Sequence, residues 1–566
     1  MRLSRSALIW AAQPALAGLA LCVSLARPDR ALTVPVNDSP GALQTLVQAK
    51  TTLDFGWWWT NPSLGAPSGF QAVLVAREAG VDHLVLGVVG FIARDVASAV
   101  NISWMLMLIL GAAAAAWCLR RLGVSTAGAW VMGVLYGLCP YALYWNIEAP
   151  GVTPYLVPFA ATAALALATD SWSAWPRRDR LALMAGTVLL GLNGLDYAYF
   201  GAILTAIGAV AGAVRARQAT RVLTGGVVPA VIVAAVVLSF LPVALAWHQE
   251  GEPPGVLRPV ADSESAGLKI RHLIGPLPDH WLPLFQVWTS RESHAGFPGE
   301  TENQFSRLGL VAAAGFLGLL ASLLIPAWAG PQPNGDVVRA ASRLTLAGIL
   351  LATVGGLGSA VSLLIWPRVT AYAHITPFLA FFALVAAAFW LDRVTVRLRR
   401  PHVLWAAVLI LGLFDQSVAA RPLNSRLAVR RAEHQQLRAF VSGLEQQLPP
   451  GAMVFQMPLR PYPLDRRQFL MGPYDHFRPY LVSHQLKWSY PALTAAQVRH
   501  DADRVEGDPA DLPARLAREG FSAILVDRYG YRDNGDTIVE ALLAAPGRPA
   551  VIDQTRRYVA IDLRPR

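Results

Sequence analysis

Residues 221–250 read RVLTGGVVPAVIVAAVVLSFLPVALAWHQE, with no Asp, Glu, Lys or Arg between Arg221 and Glu250. A helix over such a run crosses the ~30 Å hydrocarbon core of a bilayer, so 223–247 is taken as a span. Arg215, Arg217 and Arg221 stand before it and a long polar loop follows it. Basic residues concentrate on the cytoplasmic side of membrane helices, which orients this span with its C-terminal end outward.

Working outward, similar runs fall near 7–25, 101–118, 126–146, 153–169, 181–194, 198–214, 308–328, 343–361, 374–391 and 403–420. With 223–247 they make eleven. The connections that carry Arg120 and Arg121, Arg177 to Arg180, Arg215 to Arg221, Arg339 and Arg343, and Arg393 to Arg400 all follow even-numbered spans. The intervening connections carry Glu148, Asp196 or Arg368 and little else. That alternation predicts a cytoplasmic N-terminus and a C-terminal domain on the outer, periplasmic side of a bacterial inner membrane. Gly355, Gly356 and Gly358 predict a broken or re-entrant element in 343–372. The first run is longer than a signal peptide needs and many spans follow, so it reads as an uncleaved helix.

The fold class expected is an all-α polytopic membrane domain over 1–422 and a small soluble α/β domain over 423–566. Long outer loops fall at 26–100 and 248–307. A chain of 566 residues with 54% hydrophobic and 15% charged residues is too apolar for a soluble enzyme. Its net charge of +11 lies mostly in arginines beside the spans, so the partner it implies is the lipid bilayer and not nucleic acid. Cys22, Cys118 and Cys139 all lie in apolar runs without CxxC spacing, which excludes a disulfide framework. In the tail, a charged helix over 427–448 precedes strand-like AMVFQMP, helix-like DLPARLAREG, and strand-like SAILVDR and YVAIDL. It contains no P-loop, dinucleotide fingerprint or nucleophile elbow.

The chemistry-bearing candidates sit at outer ends of spans. Asp38 follows the first span, and Ser39-Pro40 after it resembles a helix start. Asp38 is therefore either a cap for that helix or a base at the membrane surface. Trp57, Trp58 and Trp59 lead into the Gly/Pro-punctuated turn Asn61–Gly69 and form either an interfacial belt or a sugar platform, and Asn61 stands with them as a candidate to touch substrate. Asp196 lies at the tip of a hairpin among Tyr197, Tyr199 and Phe200, and Glu148 in a tight turn before Pro150 reads as structural. Asp82 and His83 open an interfacial helix that Asp82 caps. His272, His280 and His294 with their acidic neighbours lack HxxxH or HExxH spacing and read as solvated. Lys487, Trp488 and Tyr490 read as packed residues of the tail.

The order of one span, a loop with an early Asp, WTNPSLGAPSG (59–69), GLDYAYFGAIL (194–204), ENQFSRLGLVAAAGFLGLL (302–320), RVTAYAHITPFLAFFAL (368–384), LFDQS (413–417), MVFQMPLRPYP (453–463) and RPYLVSHQLKWSYPA (478–492) resembles YfhO-like bacterial multi-pass proteins. These are distantly similar to the GT-C superfamily of polyprenyl-phosphate-sugar-dependent glycosyltransferases. The resemblance implies an inverting transferase moving a hexosyl or pentosyl group from a polyprenyl-phosphate-linked sugar to a glycan, lipid or protein acceptor. Asp38 stands where that family keeps its catalytic carboxylate, with Asp196 second. Arg368, the lone arginine at an outer span end, is the first candidate cation for the leaving phosphate and Arg307 the second, the alternative for both being extension to the lipid headgroups. Glu300 and Glu302, just ahead of a span, are placed to face a site shared with Asp38. Ala373-His374 stands where relatives carry Asn-Arg, so His374 replaces a cation. No DxD or ExD pair follows Asp38, which leaves a divalent cation, Mg or Mn, open. A non-catalytic assembly protein on the same scaffold is the alternative. A lipid or polysaccharide transporter is less favoured, because paired mid-bilayer charges and internal repeats are missing from the sequence.

Overall fold

The computed structural model describes residues 13, 16–21, 32–75, 79–93, 95–253, 259–331, 334–365, 369–463, 465–545 and 550–564. The membrane body is helical throughout. Among the described residues six helical runs are long and apolar enough to cross a bilayer: Val96–Arg121, Thr126–Trp145, Leu195–Ala216, Thr220–Glu250, Tyr372–Thr395 and Pro401–Gln447. Tyr372–Thr395 runs through the centre, with Thr376 to Phe389 buried all round, as expected of a helix apolar on every face.

Small residues let these helices touch. A Cβ on Gly208 or Gly212 would fall 2.4 Å from the Ala164 carbonyl or 2.1 Å from that of Leu167, and one on Gly315 would fall 2.3 Å from that of Ala383. Glycine at such crossings brings backbones into contact, which drives helix association where lipid offers no hydrophobic gain.

Among the described residues, not every expected span is met by a full-length helix. The first expected span, 7–25, lies almost wholly outside the described residues. Spans expected at 153–169, 181–194 and 308–328 are helical only over Val157–Ala168, Arg177–Leu192 and Leu310–Leu324, short of the ~20 residues a bilayer needs. The one expected at 343–361 is Asn334–Ala352, with Asp336, Arg339 and Arg343 in its first half. It breaks at Gly355, whose φ of +71° suits glycine, before a second helix Leu357–Leu364. The helix Gly80–Ala93 leaves Leu84, Val88, Phe91 and Ile92 exposed, consistent with the interfacial placement its sequence suggested.

The tail carries a five-stranded sheet: β1 Met453–Met457, β2 Lys487–Trp488, β3 Phe521–Asp527, β4 Ala550–Gln554 and β5 Tyr558–Asp562, in the order β2-β1-β3-β5-β4. β1 is parallel to β2 and β3, while β5 is antiparallel to β3 and β4. Alternation along the strands feeds two cores. Phe455, Ile524, Val526, Val559 and Ile561 meet Leu512, Leu516 and Leu542 on one face. Val454, Ala523, Leu525 and Ala560 meet Phe440, Val441 and Leu444 of helix Leu427–Gln447 on the other.

That second core does not stop at residue 423. Val47, Leu64, Phe70, Ala72 and Leu74 of the first loop belong to it. The Ser63 carbonyl accepts from Trp488 N at 2.9 Å, and Ala66 N donates to the Trp488 carbonyl at 3.0 Å, so the Asn61–Gly69 turn extends the sheet beyond β2. The loop and tail thus fold together, and the last span continues without a linker into the first helix of the tail.

Candidate functional site

The segment 34–40 is the hinge of the site. Asn101, on helix Val96–Arg121, accepts from Val36 N at 3.1 Å and donates to the carbonyls of Leu32 and Val34 at 2.8 and 2.9 Å. Asn37 and Ser39 turn toward the membrane body. Asn37 Nδ2 donates to Glu148 Oε2 at 2.7 Å, and Ser39 Oγ donates to the same oxygen. Ser39 is the N-cap of helix Pro40–Phe55, its hydroxyl accepting from Ala42 N at 3.3 Å. Asp38 is therefore not the cap.

Asp38, between them, turns the other way, toward the tail. Its carboxylate is one-fifth exposed (19%) and lies 3.7 Å from Arg478 Nη2, which also donates to the Asp38 carbonyl at 3.1 Å. It lines a cavity of about 440 Å³ between the first loop and the tail, shared with Asp95, Arg430, Glu433, Arg438, Arg478 and Arg557. Asp38 ends a chain of alternating charge: Asp527 takes Arg557 at 2.7 Å, Arg557 reaches Asp475 at 2.7 Å, and Asp475 holds Arg478 Nε at 2.6 Å. Burial pushes the Asp475 carboxyl up, but Arg478 and Arg557 outweigh it and leave it below its ordinary value. Burial likewise opposes the Arg478 charge, and Asp475 more than compensates. Charges buried this way persist only when paired, so the tail presents Arg478 to Asp38 on a rigid mount.

A second cluster lies on the body side. His374 Nδ1 is 2.9 Å from Asp196 Oδ2, with Asp196 in the first turn of Leu195–Ala216. Trp145, Tyr141 and Tyr197 surround the ring, at centroid distances of 4.9, 6.2 and 6.3 Å. The His374 Nε2 atom is buried without a hydrogen-bond partner. Glu148 is pushed toward protonation by burial, opposed by its bonds from Ser39 and Asn37 and reinforced by the nearby charge of Glu302. The sequence reading took Glu148 as a turn residue. Its place before Pro150, on the same side as Asp38, was the signal that could have raised it.

The other expected residues are dispersed. Trp58 is buried and stacked on His83 at 5.3 Å, Trp57 lies 6.1 Å from the same ring, and Trp59 is 39% exposed. Two of the three thus pack on the interfacial helix. Asn61, expected to touch substrate, is fully buried. It donates to Thr51 Oγ1 at 2.8 Å and to the Tyr480 hydroxyl at 2.7 Å, and accepts from Ser63 N at 2.9 Å. Its polar atoms tie the loop to the tail. Arg307 is buried, donating to Glu292 Oε2 and to the Pro276 carbonyl, both at 2.7 Å, instead of extending to lipid headgroups. Arg368 lies outside the described residues. Asp415 accepts from Leu310 N at 2.8 Å and lies 3.3 Å from His280 Nε2. His272 and His280, expected to be solvated, are buried. Asp82, expected to cap its helix, reaches away from it instead: it accepts from Gly151 N, the Tyr155 hydroxyl and Asn193 Nδ2, each at 2.8 Å. Among the described residues no three of His, Cys, Asp and Glu converge closely enough to hold a metal ion.

No protein-family model and no curated protein matches the sequence. Solved structures do. ArnT from Cupriavidus metallidurans, crystallised with undecaprenyl phosphate, superposes with a TM-score of 0.53 over 98% of this chain and 97% of that one, at 14% identity. The Archaeoglobus fulgidus oligosaccharyltransferase in its apo form gives 0.45 over 95% and 71%, at 12% identity. The mycobacterial arabinofuranosyltransferase AftD gives 0.49 over 100% and 40%, at 15% identity. The likeness to ArnT over nearly the whole of both chains is one of fold. The chain shares its fold with ArnT, in keeping with the distant likeness to membrane glycosyltransferases that its sequence suggested.

Proposed function

We propose that this chain transfers a sugar, hexosyl or pentosyl, from a polyprenyl-phosphate carrier to an envelope glycan, lipid or protein at the outer face of the membrane. The observation that carries the reading is the orientation of Asp38. Ser39 does the capping, which leaves the Asp38 carboxylate at the wall of a cavity large enough for a sugar. Asp38 takes the proton of an acceptor hydroxyl as that oxygen attacks the anomeric carbon. The polyprenyl phosphate departs from the opposite face and the configuration inverts.

On the departing side, His374 has one nitrogen engaged by Asp196 and the other unpartnered; as the imidazolium, with both nitrogens protonated, it donates from the second to a phosphate oxygen. Arg368, six residues earlier in the chain, supplies the fixed cation for the charge that develops there. Glu148 and Glu302 accept from sugar hydroxyls, Trp59 offers an exposed ring beside the interface, and Glu148 also positions the segment that bears Asp38. Arg307, salt-bridged to Glu292, shapes the loop behind the site.

A second reading has support in one feature. The contact of Asp38 with Arg478 at 3.7 Å also suits a fastening between body and tail in a non-catalytic assembly protein. Envelope glycans compared among strains carrying the intact chain, no chain, or Asp38→Asn at matched abundance decide between them. The transferase reading expects Asp38→Asn to reproduce the deletion profile. An intact profile with Asp38→Asn selects the assembly protein.

A further inference from the structure

Within the Asp38 cavity, the arginines do not all have partners. Arg478 and Arg557 are fixed by Asp475 and Asp527. Arg438 is 3.7 Å from Asp95 and more than half exposed, and Arg556 projects from the turn between β4 and β5. Arg430 is the exception that needs explaining. It is 6% exposed, one nitrogen donates to the Leu423 carbonyl at 2.5 Å, and its Nε is buried without a partner. Among the described residues no carboxylate lies within ion-pair distance of it, and burial works against its charge, with Asp38 the main compensation. A buried guanidinium so poorly paired is costly to retain unless an anion completes it.

Arg438 and Arg556 line the same cavity, and neither is held by the Asp475 and Asp527 carboxylates that fix Arg478 and Arg557. A phosphate monoester is close to dianionic at neutral pH. Arginine forks bind such oxygens in pairs. A neutral acceptor would leave Arg430 as it is.

We propose that this cavity is the acceptor site and that the acceptor carries a phosphoryl group, seated on Arg430 and Arg556 while its hydroxyl is presented to Asp38. The proposal rests on the reading of Asp38 as the base. The phosphoryl group comes from either of two sources, the headgroup of a phosphorylated lipid or a phosphorylated glycan in water.

Glucose 1-phosphate titrated into the purified full chain tests it, with glucose as the neutral control. The expected result is saturable binding of the phosphorylated sugar alone. Arg430→Gln should weaken that binding about tenfold or more, the worth of a charge-assisted contact. Arg556→Gln, at an exposed turn where the fold tolerates change, should weaken it by a smaller factor, and Asp38→Asn should leave it in place. In phosphatidylcholine nanodiscs, competition by added phosphatidic acid identifies the lipid source, and lack of competition identifies the soluble glycan. Equal binding of glucose and glucose 1-phosphate, no binding of either, or full affinity in both arginine variants overturns the proposal. A glycan profile left intact by Asp38→Asn, with binding still dependent on Arg430, overturns the base and keeps the anion site. The two failures are therefore distinct.

Discussion

The two sides of segment 34–40 hold their charges in different ways. Toward the body, Asn37 and Ser39 meet Glu148, with Glu302 close enough to raise its carboxyl, and the Asp196–His374 pair lies beyond. Toward the tail, Asp38 meets Arg478 among four further arginines. Three consecutive residues separate these environments, Asn37 and Ser39 turning to Glu148 and Asp38 to Arg478. The body side holds its acids through neutral donors and aromatic rings, while the tail side holds its charges through a salt-bridged chain that ends on Asp38.

The contrast depends on how closely helix Pro40–Phe55 approaches the Glu148 turn, and the largest effect comes from pushing them apart. A Cβ on Gly41 would fall 2.4 Å from the Glu148 carbonyl, a backbone atom that cannot step aside. Gly41→Ala should cost about 3 kcal/mol of overpacking, read as a lowered melting temperature in detergent. A variant as stable as the parent shows that the two elements are not seated on each other.

Next in size is the latch between loop and tail. Asn61→Ala leaves the Tyr480 and Thr51 hydroxyls without their buried donor and should cost about 2 kcal/mol. Limited proteolysis should then cut the 59–70 turn faster while leaving the body helices protected. Unchanged cleavage there breaks the claim that loop and tail fold as one unit.

The smallest effect sharpens the tail side. His476 is fully buried, with Nε2 2.7 Å from the Pro458 carbonyl, and burial pushes its pKa down to about 4 from 6.5. Between those values the unfolded chain binds a proton that the folded tail refuses, so stability falls as pH drops below 6.5. From pH 7.5 to 5 the loss should be about 1–2 kcal/mol. His476→Gln, which keeps a donor, should flatten that slope in a urea melt. The same slope in parent and variant removes His476 as its origin.

Much of this was readable from the chain. Apolar length located the spans that cross at full length, and charge-free runs such as 223–247 match helix Thr220–Glu250. Alternating apolar residues located β1, β3 and β5. β2 and β4 were not evident, since β2 is two residues long and β4 carries Asp553 and Gln554 at its edge. The short helices at 157–168 and 310–324 read as full spans because hydropathy does not mark where a helix breaks within an apolar run. Asp38 was singled out by position. Its partner Arg478 lies 440 residues away, beyond the reach of any local pattern, and the docking of Leu64 beside Trp488 is equally non-local. Asn61 looked like a ligand residue for that reason: a buried polar side chain that joins distant segments looks in sequence just like one that meets substrate.

The central claim is that Asp38, and not its capping neighbour, does the chemistry. The most direct test is the pool of polyprenyl-phosphate-linked sugar in strains carrying the intact chain, Asp38→Asn or Ser39→Ala at equal membrane abundance. The account predicts that the donor accumulates with Asp38→Asn, with transfer reduced about a hundredfold or more as for loss of a general base. Ser39→Ala should cost stability and leave the pool near that of the intact strain. A normal pool with Asp38→Asn, or equal accumulation in both variants, contradicts it.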